Sequence, residues 1–218
     1  MLDTPVSKAT VSFVAPELGE HVVLADPRGY RVQVISDAAG ADIVAVELAL
    51  DSGRPRRLAA TQANITLGEL LSEDAELAPG SHWLFAAPVL ASGLVPRAAA
   101  SGARAAKAHR FFVGKTADEA AGPSGAVWLR RPEGNYNGAK SSDAVTFDAF
   151  VFSALGAESD APCTITLRSP RTNGRLQLTS PFVLHDLPSG VYEVSASAPP
   201  ASIRMTHFTV NRELGGGS

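Results

Sequence analysis

Short runs in which apolar and polar residues alternate, separated by turns rich in Pro and Gly, account for most of this sequence. Val11 and Phe13 flank Ser12, for example, and the same alternation recurs at 191–198. A period of two is typical of a β-strand with one buried face. One stretch, 65–71, combines this alternation with helical spacing and predicts a strand that runs into a short helical turn. The pattern therefore predicts an all-β protein.

One phrase occurs twice, as Leu-Ala-Pro-Gly-Ser-His-Trp-Leu-Phe-Ala at 77–86 and as Leu-Pro-Ser-Gly-Val-Tyr-Glu-Val-Ser-Ala at 187–196. Each copy is a Pro/Gly turn that opens into an alternating run, as a turn followed by a strand would be. A strand pair precedes each copy, and a final apolar run follows it. Self-similarity over such a long period indicates two copies of a small sandwich domain.

The repeat also predicts where the domains begin and end. Residues near 115–125 have no periodicity and are typical of a linker. The runs at 164–168 and 175–178 predict a hairpin around the Asn173-Gly174 pair, which readily takes the positive φ angles of a tight turn, and 132–142 is predicted to be a polar loop. The predicted divisions are a first sandwich at 1–117, a linker at 118–125, a second sandwich at 126–214 and an appended flexible linker at 215–218.

The segment from Leu187 to Tyr192 is similar to the tyrosine corner of immunoglobulin-like domains, which leads into their penultimate strand. In that motif the phenol donates a hydrogen bond to the chain upstream, and His82 has the equivalent place in the first copy. With its order of short strands, the chain resembles the immunoglobulin-like sandwiches of bacterial secreted and surface proteins. The resemblance covers both halves and implies an all-β fold of two tandem immunoglobulin-like antiparallel β-sandwich domains. The Cys–Trp–Cys core of antibody domains is absent, so the resemblance is one of architecture.

Composition restricts the classes of function. With 45% hydrophobic residues, each half can bury a core. A net charge of -3 argues against a general nucleic-acid binder. No apolar run approaches the roughly 20 residues of a membrane-spanning helix. The sequence has no secretion signal, and we expect an extracytoplasmic protein (periplasmic, lipid-anchored or secreted) whose signal segment has been removed.

Catalytic and metal-binding patterns are absent from the sequence. It contains no Gly-x-Ser-x-Gly elbow, and its single cysteine excludes an intrachain disulfide and a cysteine-rich zinc site. The five histidines are scattered without the spacing of metal ligands. We therefore predict no catalytic residue, no metal and no cofactor.

Two related hairpins carry clusters of arginine. Guanidinium groups on exposed hairpins suit carboxylates or phosphates, such as those of an acidic polysaccharide or a lipid headgroup. The alternative is edge protection, in which charged side chains keep a sheet edge from pairing with another molecule. The candidate anion-binding residues are Arg54, Arg56 and Arg57 in the first copy and Arg168, Arg171 and Arg175 in the second.

The strand that follows each repeated turn also predicts a candidate partner surface. Tyr192 and Val194 should face the core of the second copy, and the same register turns Trp83 and Phe85 outwards in the first copy. Large exposed apolar patches usually mark a contact surface. The alternative is that the 91–108 hairpin or the second domain covers both rings.

Taken together, these features favour a noncatalytic module of the envelope or cell surface that serves in binding, adhesion or assembly, with a protein or polysaccharide partner. Two alternatives stay open at this point. The chain could be an accessory module of a larger secreted enzyme that presents substrate or acts as a spacer, or a hydrolase with an unrecognised site. Sandwich domains carry many functions, so the fold alone does not choose among them.

Overall fold

The computed structural model divides the chain into two compact units, Met1–Ser124 with Phe152–Glu158, and Gly125–Val151 with Ser159–Ser218. Each unit has its own buried core. The residues that the structure describes are 8–15, 22–24, 27–39, 43–51, 53–59, 62–71, 76–91, 105–114, 125–132, 135–139, 143–169, 172–199, 201 and 204–212.

The first unit contains two sheets. β1, β3 and β6 form a three-stranded sheet, and the five-stranded sheet has the order β2-β8-β7-β4-β5, with β2 parallel to β8. The elements are β1 (Lys8–Ala15), β2 (Val22–Leu24), β3 (Arg31–Ala39), β4 (Ile43–Leu50), β5 (Arg56–Leu58), β6 (Gln62–Thr66), α1 (Leu67–Leu70), β7 (Gly80–Leu90) and β8 (Lys107–Val113).

The second unit repeats this arrangement. One sheet has the order β12-β11-β15, with β9 paired to β11, and the five-stranded sheet has the order β10-β17-β16-β13-β14, with β10 parallel to β17. The elements are β9 (Gly125–Arg131), β10 (Asn135–Ala139), β11 (Val145–Ser153), β12 (Glu158–Ser159), β13 (Thr164–Ser169), β14 (Thr172–Thr179), β15 (Phe182–Leu184), β16 (Gly190–Ser197) and β17 (Arg204–Arg212). The end of β11 from Phe152 onwards and Glu158 of β12 belong to the first unit.

Apart from β12, the strands of the two halves correspond. β10-β17-β16-β13-β14 corresponds to β2-β8-β7-β4-β5, and β9-β11-β15 corresponds to β1-β3-β6. The chain is thus all-β and consists of tandem immunoglobulin-like sandwiches, which confirms the predicted fold class. The predicted passage from strand to helical turn is also confirmed, as β6 leads directly into α1.

Two local predictions in the second unit are wrong. The segment 132–142 is not only a loop, because β10 forms within it and pairs in parallel with β17. The hairpin predicted from 164–168 and 175–178 is present, with Arg168 opposite Arg175, but Asn173 and Gly174 lie within β14 and not in a turn, because the register shifts before Ser169 pairs with Thr172. Asn173 and Gly174 have no partners on β13 across this shift in register. Residues 170–171, between the two strands, lie outside the described residues.

The core of the first unit is built from the inward faces predicted by alternation. Residues of its three-stranded sheet pack against residues of its five-stranded sheet, and Leu67 of α1 belongs to the same buried cluster. The fully buried side chains include Val11, Val32, Val34, Val46, Leu48, Leu67, Ala86 and Phe111. At α1 the backbone N–H of Thr66 donates to a Glu69 carboxylate oxygen at 2.6 Å, and this bond lowers the pKa of Glu69.

Aromatic rings dominate the core of the second unit. Phe147 stacks on Phe182 with ring centroids 4.7 Å apart and meets Phe208 edge-on at 5.8 Å. Phe208 in turn stacks on Tyr192 at 5.2 Å. Offset and edge-on pairs of this kind contribute beyond their buried area, so this chain of rings holds the two sheets together.

Among the described residues, no helix is long and apolar enough to cross a membrane.

The predicted tyrosine corner is present. Tyr192 is buried, and its hydroxyl donates a hydrogen bond of 2.7 Å to the backbone carbonyl of Pro188, four residues upstream. In the first unit His82 makes the same connection, because its Nε2 lies 2.7 Å from the carbonyl oxygen of Ala78. The repeated phrase therefore folds into the same corner twice, once with a phenol and once with an imidazole.

Replacing Tyr192 with phenylalanine tests the corner. The ring still fills its place in the core, but the Pro188 carbonyl loses its donor, and we expect a cost of about 1 kcal/mol in the free energy of unfolding. Urea titration followed by amide NMR signals of β16 and β17 measures it. Gln177→Ala is the control, since the 3.1 Å bond from Gln177 Nε2 to Thr166 Oγ1 lies on the outer face of the sheet. If the two substitutions lowered the free energy of unfolding equally, the hydrogen bond from Tyr192 to Pro188 would not be a special source of stability.

Candidate functional site

A row of charged side chains crosses the outer face of the five-stranded sheet in the second unit. Arg175 of β14 lies opposite Arg168 of β13, which lies opposite Glu193 of β16, and Glu193 lies opposite His207 of β17. Tyr192 and Val194 point into the core, so Glu193 between them points outwards, as the alternation predicts. Four neighbouring strands thus place two cations, an anion and an imidazole side by side.

The charges within this row are unevenly matched. Arg168 Nη1 lies 3.4 Å from Glu193 Oε1, and the Arg168 side chain is 57% exposed. Arg175 has no ion-pair partner among the described residues, although it faces another guanidinium directly across the strand pair. Like charges at opposed positions of a sheet are destabilising. An exposed ion pair contributes about 1 kcal/mol at most, so Glu193 offsets this repulsion only in part.

The row lines an open groove of about 700 Å³. Arg168, Arg175, Glu193 and His207 supply its polar groups, and Val191 supplies an exposed apolar wall. A second groove, of about 440 Å³, lies on the other side of the same edge strand. Its lining is mostly apolar and consists of Leu167, Ser169, Gly174, Arg175, Leu176, Leu187, Pro188, Ser189 and Tyr192.

The arginines of the first hairpin are arranged differently. Arg56 donates from Nη1 to the backbone carbonyl of Glu69, and Arg57 lies directly opposite Glu47 of β4. Arg54 is exposed before β5 begins. The structure therefore brings Arg168 and Arg175 together in one groove, whereas it engages Arg56 within its own unit. Arg171, the remaining candidate, lies outside the described residues.

The register predicted for β7 agrees with the structure, in which the candidate partner surface at Trp83 and Phe85 is not exposed. Leu84 and Ala86 face the core of the first unit, so Trp83 and Phe85 face the other way. Both are nevertheless buried, with 3% and 0% of their surfaces exposed. Phe85 packs against Phe152 of the same unit, with ring centroids 5.4 Å apart. Neither ring is therefore exposed to a partner, and most of the 91–108 segment, one of the two predicted covers, lies outside the described residues.

Arg110 of β8 lies on the same face as Trp83. Its guanidinium carbon is 5.9 Å from the centroid of Trp83 and 4.9 Å from that of Phe112, and its Nε donates to Ser81 Oγ at 2.8 Å. Partial burial lowers the pKa of Arg110, because desolvation penalises the charged form. Stacking of this kind holds the cation within the fold rather than presenting it to a ligand.

Sequence reasoning missed a polar cluster at the corner of the first unit. His82 Nδ1 lies 2.7 Å from Asp51 Oδ2, and Asp51 Oδ1 accepts the backbone N–H of Trp83 at 2.9 Å. Asp51 has a φ of 50°, in the left-handed region that Asp tolerates better than most residues. Both ring nitrogens of His82 lie close to oxygen acceptors. The cluster therefore connects the residue after β4 to the start of β7. The only sign of this cluster in the sequence is an Asp that directly follows the strand at 43–50.

The part of the chain that the structure describes contains no candidate metal centre. No group of three or more His, Cys, Asp or Glu side chains in the described part of the chain could hold a metal ion. Arg130 and Asp148 form a buried ion pair at 3.4 Å on the sheet that contains β11, away from either groove. The polar row with its groove is thus the strongest candidate site.

No family model matches this sequence, and no curated protein matches it. Solved structures similar to the chain include fibronectin(III)-like modules of CbhA from Clostridium thermocellum, with 16% identity over 94% of each chain and a TM-score of 0.27. Three N-terminal domains of the bacteriophage RB49 Highly Immunogenic Outer Capsid protein (Hoc) show 12% identity over 93% of this chain and 59% of theirs, with a TM-score of 0.29. Dpr2 Ig1-Ig2, in complex with DIP-Theta Ig1-Ig3, shows 10% identity over 94% of this chain and 67% of the other, with a TM-score of 0.28.

Proposed function

We propose that this tandem of immunoglobulin-like sandwiches is a noncatalytic binding module of an envelope or cell surface, and that its second sandwich binds an acidic group of a protein or polysaccharide partner. The observation that carries the proposal is the pairing of Arg168 with Arg175 across two neighbouring strands, inside an open groove. The extracytoplasmic location expected from the sequence belongs to the same proposal.

A bound anion would relieve the repulsion that the row contains. Two guanidinium groups on opposed positions of adjacent strands can approach one carboxylate from two directions, and each offers planar N–H donors. Glu193 holds Arg168 beside the groove through the 3.4 Å ion pair. Since Arg168 stays largely exposed, it can bind a ligand without losing this contact entirely. The site would therefore select a carboxylate or phosphate and reject a cation.

Edge protection explains only part of this arrangement. β14 is the outermost strand of its sheet, so Arg175 is placed as an edge-guarding charge would be. Arg168 lies on β13, which has a strand on both sides and therefore no edge to guard. The competing function, a spacer or substrate-presenting module of a larger secreted enzyme, requires no anion-binding groove at all.

Replacing Arg175 with glutamine separates these possibilities. We expect affinity for oligogalacturonate, a carboxylate-bearing probe, to fall about tenfold, because one charge-assisted contact is lost. We also expect stability to be unchanged or to rise by roughly 0.2–0.5 kcal/mol, because the opposed like charges are gone. Isothermal titration calorimetry at low salt and urea titration measure the two quantities.

Arg54→Gln is the matched control, since Arg54 is an exposed arginine of the other hairpin. It should leave affinity for oligogalacturonate unchanged. If Arg175→Gln instead leaves binding unchanged and only increases aggregation, the arginine protects the edge and the proposed binding function fails.

A further inference from the structure

The two grooves of the second unit meet at one place. The polar groove contains Arg168 and Arg175, the apolar groove contains Leu176 and Leu187, and both touch Arg175 at the tip of the β13–β14 hairpin. One lies on the outer face of the sheet edge and the other on its inner face. A ligand that lies along the edge would contact both grooves at once.

The strand between the grooves is itself available for pairing. β14 is the last strand in its sheet order, so one side of its backbone has no neighbouring strand among the described residues. It spans eight residues, Thr172–Thr179, and contains no proline. Edge strands of this length normally carry features that prevent pairing, because their unpaired N–H and C=O groups are a template for an incoming strand. Here the side chain of Leu176 is 41% exposed beside that edge.

The positive charge of Arg175 determines which kind of strand can pair with β14. A second copy of β14 would bring its own arginine towards Arg175 and be repelled, whereas an acidic strand would be attracted. Successive side chains of a strand point to opposite faces. A strand in which acidic and apolar residues alternate would place its carboxylates in the polar groove and its apolar side chains in the other. An acidic polysaccharide has no such alternation and would use only the polar groove.

We infer that this edge binds an extended, acidic segment of a partner protein, which pairs with β14, lays a carboxylate against Arg168 and Arg175 and lays an apolar side chain against Leu176 and Leu187. This inference rests on the proposed anion-binding function. It adds the class of partner and the way in which the partner is held, through backbone pairing as well as charge.

The test uses the full chain and three probes. The first is a fluorescein-labelled peptide, Glu-Val-Asp-Val-Glu-Val-Asp, and the second is the same peptide with alternate backbone nitrogens methylated. The third is oligogalacturonate, which has carboxylates but no peptide backbone. We expect the first peptide to bind and to shift the amide NMR signals of β14. Methylation removes the N–H donors without changing the charge, and it should weaken binding at least about tenfold.

Variants then assign the contacts. Leu176→Ser should weaken the first peptide about fivefold to tenfold, since the apolar contact is lost, and should leave oligogalacturonate binding unchanged. Val183→Ser is the matched control, because Val183 is similarly exposed but lies on β15 of the other sheet. Arg175→Gln should weaken the peptide and oligogalacturonate alike.

Each contrary result has its own meaning. Binding of oligogalacturonate but not of the peptide would overturn the inference and leave the proposed function standing. Peptide binding that is indifferent to methylation or to Leu176→Ser would overturn the pairing with β14. Binding of none of the probes would overturn the inference and the proposed function together.

Discussion

Replacing Phe147 with alanine should lower the free energy of unfolding of the second unit by about 3–5 kcal/mol, the range for truncating a buried phenylalanine. Phe147 has no exposed surface and contacts Phe182 and Phe208, which belong to different sheets. Its loss would leave a cavity between the sheets as well as removing apolar contact. Urea titration followed by amide NMR signals of β13 and β16 measures the cost within this unit.

Val183→Ala provides the comparison. Val183 lies on β15 beside Phe182, but its side chain is 48% exposed, so we expect a change within about 0.5 kcal/mol. A cost below about 1 kcal/mol for Phe147→Ala would mean that the ring does not join the two sheets. The aromatic core described for the second unit would then be wrong.

The second large effect is expected at the corner of the first unit. Asp51→Ala removes the acceptors of the Trp83 N–H and of the His82 ring, and it places alanine at a positive φ. Lost hydrogen bonds to a charged group and an unfavourable backbone conformation together should cost about 3–4 kcal/mol. The Asp51→Ala, His82→Phe double-mutant cycle measures the coupling between the two side chains, which we expect to exceed about 1 kcal/mol.

Asp186→Ala isolates the backbone contribution. Asp186 has a φ of 58°, close to that of Asp51, but its exposed side chain makes no hydrogen bond to any described residue. We therefore expect the conformational cost alone, about 1–2 kcal/mol. If Asp51→Ala and Asp186→Ala cost the same, the hydrogen bonds of Asp51 contribute nothing to stability, and the cluster with His82 is incidental.

Much of the fold could be predicted because a half-buried β-strand has a local sequence pattern, the alternation of apolar and polar residues. The alternation in 191–198 assigned Tyr192 and Val194 to the core, and both are buried there. The repeated turn phrase predicted two copies of one domain, and its resemblance to the tyrosine corner implied the phenol hydrogen bond that Tyr192 makes to Pro188. These features depend on period and on turn chemistry, which neighbouring residues determine by themselves.

The candidate site could be predicted only by residue type. The arginine clusters were visible in the sequence, but nothing local distinguished Arg56, which bonds to Glu69, from Arg168 and Arg175. The pairing of β13 with β14 places Arg175 directly opposite Arg168. The pairing of β13 with β16 then adds Glu193 to the row.

The sequence by itself determined the strand character of most segments, the inward face of the alternating strands and the duplication of the domain, because side-chain alternation and turn residues act over a few positions. Only the tertiary structure decided what lies on the second face of a strand. Trp83 and Phe85 were assigned correctly to the side away from the core, yet both are buried, since a strand's own pattern does not specify what packs against its outer face. The same holds for Arg168 and Arg175, which became one site through the pairing of strands across the sheet, a choice made by the packing of the whole domain.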